Sequence, residues 1–375
     1  MPPAVVLVTG VSRWLGGALA AELARDPGID RVIGVDAVPP GQELLRELGR
    51  TEFVRADIRS PVIGKVIESA RVDTVVHMNT FATSRGAGGR ASMKELNVIG
   101  TMQLLAACQR ASTVRRFVMR STTAVYGASP RDPAVFSESM EARRAPTGGY
   151  ARDSLDVEGY LRSFARRRPD VDVAVLRFTN LLGPRADSLL TSFFRSPVVP
   201  TALGFDARLQ VLHEDDALAV LVRAATGPFT GTVNVAGEGT VLLSQAIRRL
   251  GRVPLPVPAP AMGAIGQVGR RLGLSGTLDW SPEQMRFLNF GRVVDTRVLR
   301  EEFGHRPRYS TSEALADLAR TLPPVIPPEA VAGASDGLRA AAGALLTGAA
   351  AVAGALPGRR HPAPAVPGLR AVHDA

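Results

Sequence analysis

Val5-Val6-Leu7-Val8-Thr9-Gly10-Val11-Ser12-Arg13-Trp14-Leu15-Gly16-Gly17 is the stretch on which the reading of this chain turns. Unbroken apolar residues at Val5–Val8 read as a buried strand, and the periodicity that follows predicts a helix over Gly16–Arg25. A tight turn from strand to helix aims backbone N–H groups and the positive end of the helix dipole at one spot, which suits a phosphate. Gly10 permits the turn, and Gly16 lets the helix close onto the strand. A glycine pattern alone is weak evidence. Its position after the first strand and before the first helix makes it informative.

Working outward, apolar runs rich in Val and Ile alternate with helical patterns. Val32–Val35, Val72–His77, Arg116–Arg120 and Val171–Leu176 read as further buried strands. Pro61–Ser69, Ser92–Arg110 and Tyr150–Arg166 read as helices between them. This alternation predicts an α/β fold with a parallel, doubly wound sheet covered on both faces. After about Gly183 the segments shorten, and helical periodicity returns at Asp215–Ala225, Leu243–Leu250, Pro282–Phe290, Thr296–Phe303 and Ser312–Leu322. Residues 184–322 are therefore expected to form a smaller lobe interleaved with the sheet of residues 1–183. Pro254–Pro260 reads as an extended link within that lobe. Residues 323–375, rich in Ala, Gly and Pro, read as a loosely helical or disordered tail.

Composition narrows the function classes. The chain has 375 residues, 45% hydrophobic and 21% charged, with a formal charge of +10. Nearly all of the positive charge is arginine, Lys65 and Lys94 being the only lysines, and the basic clusters Arg143–Arg144 and Arg166–Arg168 are short and free of aromatics. That pattern argues for a solvated surface and against nucleic acid. A single cysteine, Cys108, leaves no intrachain disulfide and no cysteine metal site, and no metal is expected. Met1-Pro2-Pro3-Ala4 carries neither the basic region nor the cleavage site of a signal peptide, so a cytoplasmic location without stable membrane insertion is expected.

The turn also predicts a ligand. Asp36 closes the second strand at the spacing where a carboxylate accepts hydrogen bonds from an adenosine ribose and repels a 2′-phosphate, which favours NAD over NADP. Asp57-Ile58, after the third strand, is placed beside the adenine. Ser12, Arg13, Trp14 and Leu15 complete the loop. Arg13 stands where the commonest form of this loop keeps a second glycine. It either pairs with a phosphate or narrows the site.

Together these residues resemble an extended short-chain dehydrogenase/reductase of the NAD-dependent epimerase/dehydratase family, over about residues 4–322. The resemblance is carried by Thr9–Gly16, Asp36, Asp57-Ile58, Val76-His77, Asn97–Thr101, Ser121–Gly127, Tyr150, Leu176–Pro184 and Leu212–Asp216. Among characterised members it is most similar to UDP-galactose 4-epimerases and to actinobacterial proteins often labelled that way. It implies a Rossmann-type domain at 1–183, a substrate lobe, NAD as cofactor with Asn97 among its contacts, a nucleotide-sugar substrate near Asn180 and Arg208, and a homodimer through the helices at Ser92–Arg110 and Tyr150. It implies Tyr150 as the acid/base and Thr122 as the hydroxyl that orients substrate. The family keeps a lysine four residues after its tyrosine, and here that position is Ser154.

Bringing a phenol from about 10 to about 7 takes roughly 4 kcal/mol of phenolate stabilisation, and a serine carries no charge to supply it. Arg152 should point around the helix, and Lys94, near Asn97, is the nearer of the two lysines. The arginine that often precedes the His-x-Asp-Asp stretch by four residues is Leu209 here, with Arg208 beside it. His213 reads as structural, and Asp215 and Asp216 as caps of the next helix. Three readings stand: a nucleotide-sugar epimerase/dehydratase with an atypical site, a hydroxysteroid- or lipid-type dehydrogenase, and a non-catalytic NAD(H)-binding sensor or scaffold.

Overall fold

The computed structural model describes residues 3–78, 90–146, 149–258, 282–322 and 325. The tail assigned to 323–375 lies outside the described residues except for Val325.

Seven parallel strands form the main sheet: β1 (Val5–Thr9), β2 (Arg31–Asp36), β3 (Glu52–Arg55), β4 (Thr74–His77), β5 (Arg116–Thr122), β6 (Asp172–Phe178) and β11 (Gly231–Val235). Their spatial order is β11-β6-β5-β4-β1-β2-β3. Chain order therefore reverses between β1 and β4, and their carboxyl ends open a crevice there. Period-2 alternation decides which face each residue covers. On β1, Val6 and Val8 join Leu15, Leu19 and Leu23 of α1 (Trp14–Arg25) and Val220 and Leu221 of α8 (Glu214–Thr226). Leu7 faces the other way, into a core with Phe117 and Met119 of β5 and Leu161 of a helix over Gly149–Arg167. Each such fully buried Leu or Phe contributes about 1.5–3 kcal/mol by leaving water.

The expected helix over Ser92–Arg110 is present as α4 (Arg90–Lys94), a π-helical turn (Glu95–Ile99) and α5 (Gly100–Arg110). Gly100 belongs at this crossing because a Cβ there would lie 2.8 Å from the Ile58 side chain. The Gly149–Arg167 helix, α6, is built for its place. Val157, Leu161 and Phe164 are its buried stripe, Arg152–Asp156 pair on its exposed side at 3.1 Å, and Arg166 and Arg167 oppose the negative end of its dipole. Ile99, Met102 and Tyr160 are large apolar residues left exposed on this helical side.

The remaining strands make small sheets from distant segments. β7 (Asn180–Leu182) pairs with β10 (Val211–His213), β9 (Arg208–Leu209) lies between β12 (Val241–Leu242) and β14 (Gly291–Arg292), and β8 (Val198–Ala202) pairs with β13 (Val253–Val257). Pro254 and Pro256, expected in a free link, thus belong to a two-stranded edge, where a missing N–H is tolerated. A third apolar core, with Phe193, Phe194, Leu209 and Leu315, holds these sheets together.

Candidate active site

The glycine loop is shaped by sterics. Gly10 has φ 78° and donates its N–H to the Val35 carbonyl at 2.8 Å, which ties the turn to β2. A Cβ on Gly16 would stand 2.2 Å from the Gly10 carbonyl oxygen, so no other residue lets α1 begin so close to the turn. Trp14 and Leu15 open α1 and offer free backbone N–H groups there. The Leu15 side chain is buried in the core, and the Trp14 ring lies under the Arg185 guanidinium at 4.6 Å.

Asp36 ends β2 half-buried. One oxygen accepts the Ser12 N–H at 3.1 Å and the other accepts the Val38 N–H at 3.4 Å, so the loop holds the carboxylate at the crevice with lone pairs to spare. The Ser12 hydroxyl donates to the Val38 carbonyl. Asp57 is gripped by the Arg59 guanidinium, at 2.6 Å for the shortest contact, and that hydrogen bond holds its carboxyl below the usual carboxylate range. Ile58 is buried beside it. These residues fit a dinucleotide: a cradle that a Cβ would fill, free N–H groups above it, and a ribose-directed carboxylate 24 residues along from Ser12.

Beneath the loop runs a directed hydrogen-bond chain. Thr101 donates to the Asn97 carbonyl at 2.6 Å, so its oxygen accepts from His77 Nε2 at 2.9 Å. His77 Nδ1 must then accept from the Thr9 hydroxyl at 2.8 Å, and Thr9 accepts the Met78 N–H at 3.1 Å. Every member is used when the imidazole is neutral, and burial lowers its pKa to about 4. Asn97 lies in the π turn, buried, with its amide 3.4 Å from the buried Asp153 carboxylate.

Thr122 ends β5, and its hydroxyl accepts the Ala124 N–H at 3.1 Å, leaving its own proton to donate. Tyr150 stands in the first turn of α6. That helix begins at Gly149, φ 68°, where a Cβ would lie 2.5 Å from Glu283 Oε2, so the second lobe reaches the start of the tyrosine's helix. Ser154 is buried and donates its hydroxyl to the Tyr150 carbonyl at 2.9 Å, a bond within its own helix. Arg152 is exposed and paired with Asp156, and Lys94 and Lys65 are exposed. Arg13 is the residue that caps the amino terminus of α1. Burial and then repulsion by Arg120 lower the Arg13 guanidinium, while Asp187, Asp36 and Tyr150 oppose that shift.

The second lobe corrects several expectations. His213, not Asp215 or Asp216, caps α8: its Nδ1 accepts the Asp215 N–H at 3.2 Å. Asp215 pairs with Arg185 at 2.8 Å, and the fully buried Asp216 is committed to the backbone N–H groups of Arg308 and Tyr309. His213 also meets Asp317 at 3.1 Å and stacks on Tyr309 at 3.7 Å, so it is a structural joint. Leu209 is fully buried in the third core and forms no cleft wall. Arg208 is exposed and donates to the Ala134 carbonyl at 2.9 Å, and Asn180 is half-buried on β7.

Two arginines escaped the sequence reading. Arg292 donates to the Gly127 carbonyl at 2.7 Å, and burial lowers it to about 10 despite Asp132 and Glu283. Arg120, inside β5, has a buried Nε with no hydrogen-bond partner among the described residues. A Gly-Arg pair ahead of Asp295 and a charge within an apolar strand were the available signals. Among the described residues no group of His, Cys, Asp and Glu is arranged to hold a metal ion, and no helix is long and apolar enough to cross a membrane.

Comparison with known proteins agrees with this geometry. The family model described as the NAD dependent epimerase/dehydratase family matches residues 6–236. An uncharacterized protein of Mycobacterium tuberculosis is 50% identical over 331 residues, 88% of this chain and 87% of its own length. The UDP-glucose 4-epimerase of Thermotoga maritima, solved with UDP-glucose, superposes with a TM-score of 0.65 at 18% identity, over 84% of this chain and 98% of that one. A dTDP-glucose 4,6-dehydratase of Streptomyces venezuelae, solved with NAD and TYD, gives 0.65 at 22% identity, over 84% and 96%. At these identities the two structures establish likeness of fold.

Proposed function

Because this chain belongs to the NAD dependent epimerase/dehydratase family, we propose that it binds NAD at the Gly10–Gly16 loop and acts on a nucleotide sugar held between Thr122, Tyr150 and the second lobe. Bound NAD supplies the acceptor, and afterwards the donor, of a hydride at one carbinol carbon of the substrate. As the C–H bond breaks, Tyr150 takes the hydroxyl proton, and it returns that proton when the carbon is reduced again. Thr122 has its acceptor side engaged by Ala124 N–H, so its O–H is directed to the substrate oxygen. To a substrate diphosphate we assign Arg208, exposed on β9, and Arg292 of the neighbouring β14, two cations of the second lobe. The exposed Ile99, Met102 and Tyr160 form the face on which two copies pair, and sedimentation of the native chain as a monomer would remove that element.

The observation that carries the reading is the glycine loop at the crevice between β1 and β4, where Gly10 at φ 78° and a Gly16 with no room for a Cβ leave a cradle at the amino terminus of α1 with Asp36 at its rim. Calorimetry with NAD, NADH and NADP, followed by turnover of UDP-glucose and UDP-galactose, tests it. Micromolar NAD binding is expected, and Tyr150→Phe should cut turnover at least about 100-fold while NAD affinity holds. Unchanged turnover in Tyr150→Phe would remove the tyrosine from its role. A second reading, a non-catalytic NAD(H) sensor, is favoured by the Ser154 hydroxyl being spent on the helix backbone. NAD binding without turnover of any nucleotide sugar would select it.

A further inference from the structure

Arg120 occupies a place in β5 where an apolar residue would be expected. Strand alternation sets it with Arg116 and Val118 on the face covered by α1 and α8, opposite Ser121, whose hydroxyl meets Glu158 of α6. Arg116 shows how a guanidinium is normally satisfied on that face. It donates to the carbonyls of Ala224 at 3.3 Å and Phe229 at 3.0 Å, and it meets Asp172 at 3.4 Å. Arg120, four residues nearer the carboxyl end of the sheet, has a buried Nε with no hydrogen-bond acceptor among the described residues. A buried donor left without an acceptor costs about 1–3 kcal/mol, which favours binding of something that brings one.

What it would bring follows from the neighbours. Arg120 ends beside the amino terminus of α1, close enough to act on Arg13. Arg13 is answered by Asp187 and Asp36, whereas the Arg120 Nε has no acceptor among the described residues. Two guanidinium groups and a helix amino terminus therefore converge on the crevice between β1 and β4, and one guanidinium keeps a buried N–H without an acceptor among the described residues. We propose that Arg120 is a ligand of the dinucleotide's diphosphate, and that with Arg13 it forms a two-guanidinium clamp replacing the close backbone approach that a glycine at position 13 would permit. This inference rests on the NAD reading given above. It assigns the basic residue inside β5 to the cofactor, and it makes Arg13 part of the grip and not an obstruction.

The test is calorimetry of the full chain, wild type against Arg120→Gln and Arg120→Lys, with NAD, AMP and UDP as probes. Arg120→Gln should weaken NAD at least tenfold and leave AMP, which lacks the diphosphate bridge, within twofold. Arg120→Lys, a point charge without the planar fork, should fall between. UDP binding should not change. Equal NAD affinity in wild type and Arg120→Gln overturns the clamp while the NAD reading stands. A parallel loss of AMP also overturns it, since the effect is then general damage. Loss of UDP in place of NAD would assign Arg120 to a substrate diphosphate. Failure of the wild type to bind any dinucleotide fells the NAD reading itself, and the clamp with it. If Arg120→Gln does not fold, the Lys variant, whose charge is kept, decides by the same comparison.

Discussion

Helix α6 carries two polar constellations, and they are built on opposite plans. Toward its middle, Glu158 is buried, accepts the Ser121 hydroxyl at 2.6 Å, and takes Arg177 with both oxygens at 3.1 and 2.7 Å. Arg177 continues to the Tyr126 hydroxyl at 2.8 Å and the Glu138 carbonyl at 3.1 Å, and Tyr126 passes on to Asn234 at 2.8 Å. Burial alone would lower the Arg177 guanidinium, and the Glu158 hydrogen bonds overcome this and raise it. Two turns earlier, Tyr150 and Ser154 offer hydroxyls and no charge, and Ser154 is turned back on its own helix. The Glu158–Arg177 pair thus belongs to the scaffold that welds α6 to β5, β6 and β11, while the buried Asp153 lies beside the Asn97 amide. Neither Tyr150 nor Ser154 brings a positive charge to the crevice.

The comparison breaks first at Glu158. Glu158→Gln leaves a buried guanidinium facing an amide, and the expected loss is about 3–5 kcal/mol of stability, read as the midpoint of chemical unfolding. Replacing both partners, Glu158→Leu with Arg177→Met, should cost less than the single change, because no uncompensated charge remains. A single variant within 1 kcal/mol of wild type would show that the network adorns the helix without holding it.

His77 sharpens the comparison from the cofactor side, as a buried polar group satisfied only when neutral. Its folded pKa of about 4 lies below the value of about 6.5 expected unfolded, so the unfolded chain binds the extra proton between them. Its contribution is fully present above pH 6.5 and is lost as pH falls toward 4, by about 3 kcal/mol. The thermal midpoint should fall over that window, and His77→Gln should flatten the fall. An identical pH dependence in the variant would place the acid sensitivity in the carboxylates.

Much of this was legible because it follows from local sterics and period. Gly10 and Gly16 dictate the turn, and the unbroken apolar run Val5–Val8 admits few alternatives to a strand buried on both faces. The short α2 over Gln42–Glu47 buries nothing and left no pattern to find. The π turn at Asn97 is also silent in sequence: it is a tertiary arrangement in which the Thr101 hydroxyl, itself bonded to His77, engages the Asn97 carbonyl. The caps of α8 failed for a related reason. Asp216 satisfies the local rule for a cap but is claimed by backbone 92 residues away, and His213 takes the vacancy. Strands of two or three residues, such as β9 and β10, have partners set wholly by distant chain, so the second lobe could be anticipated as a lobe but not as three small sheets. Arg120 was hidden by its setting: within a strand, only the absence of a partner distinguishes a ligand from a structural arginine such as Arg116.

The finest test of the comparison puts a charge back where α6 lacks one. Ser154 lies one turn beyond Tyr150 on the same face, so Ser154→Lys carries an ammonium to the reacting end of the helix. The position is buried, and fitting the longer side chain should cost about 1–3 kcal/mol of stability. If the reacting end is limited by missing charge, turnover of UDP-glucose at pH 7 should rise at least about tenfold, with NAD affinity held within threefold. Measured at saturating NAD, the gain should persist in an Arg13→Gln background. A folded Ser154→Lys protein with no gain in either background would mean that charge at this position does not limit the reaction. The difference between the two constellations of α6 would then reflect a site that has ceased to transfer hydride.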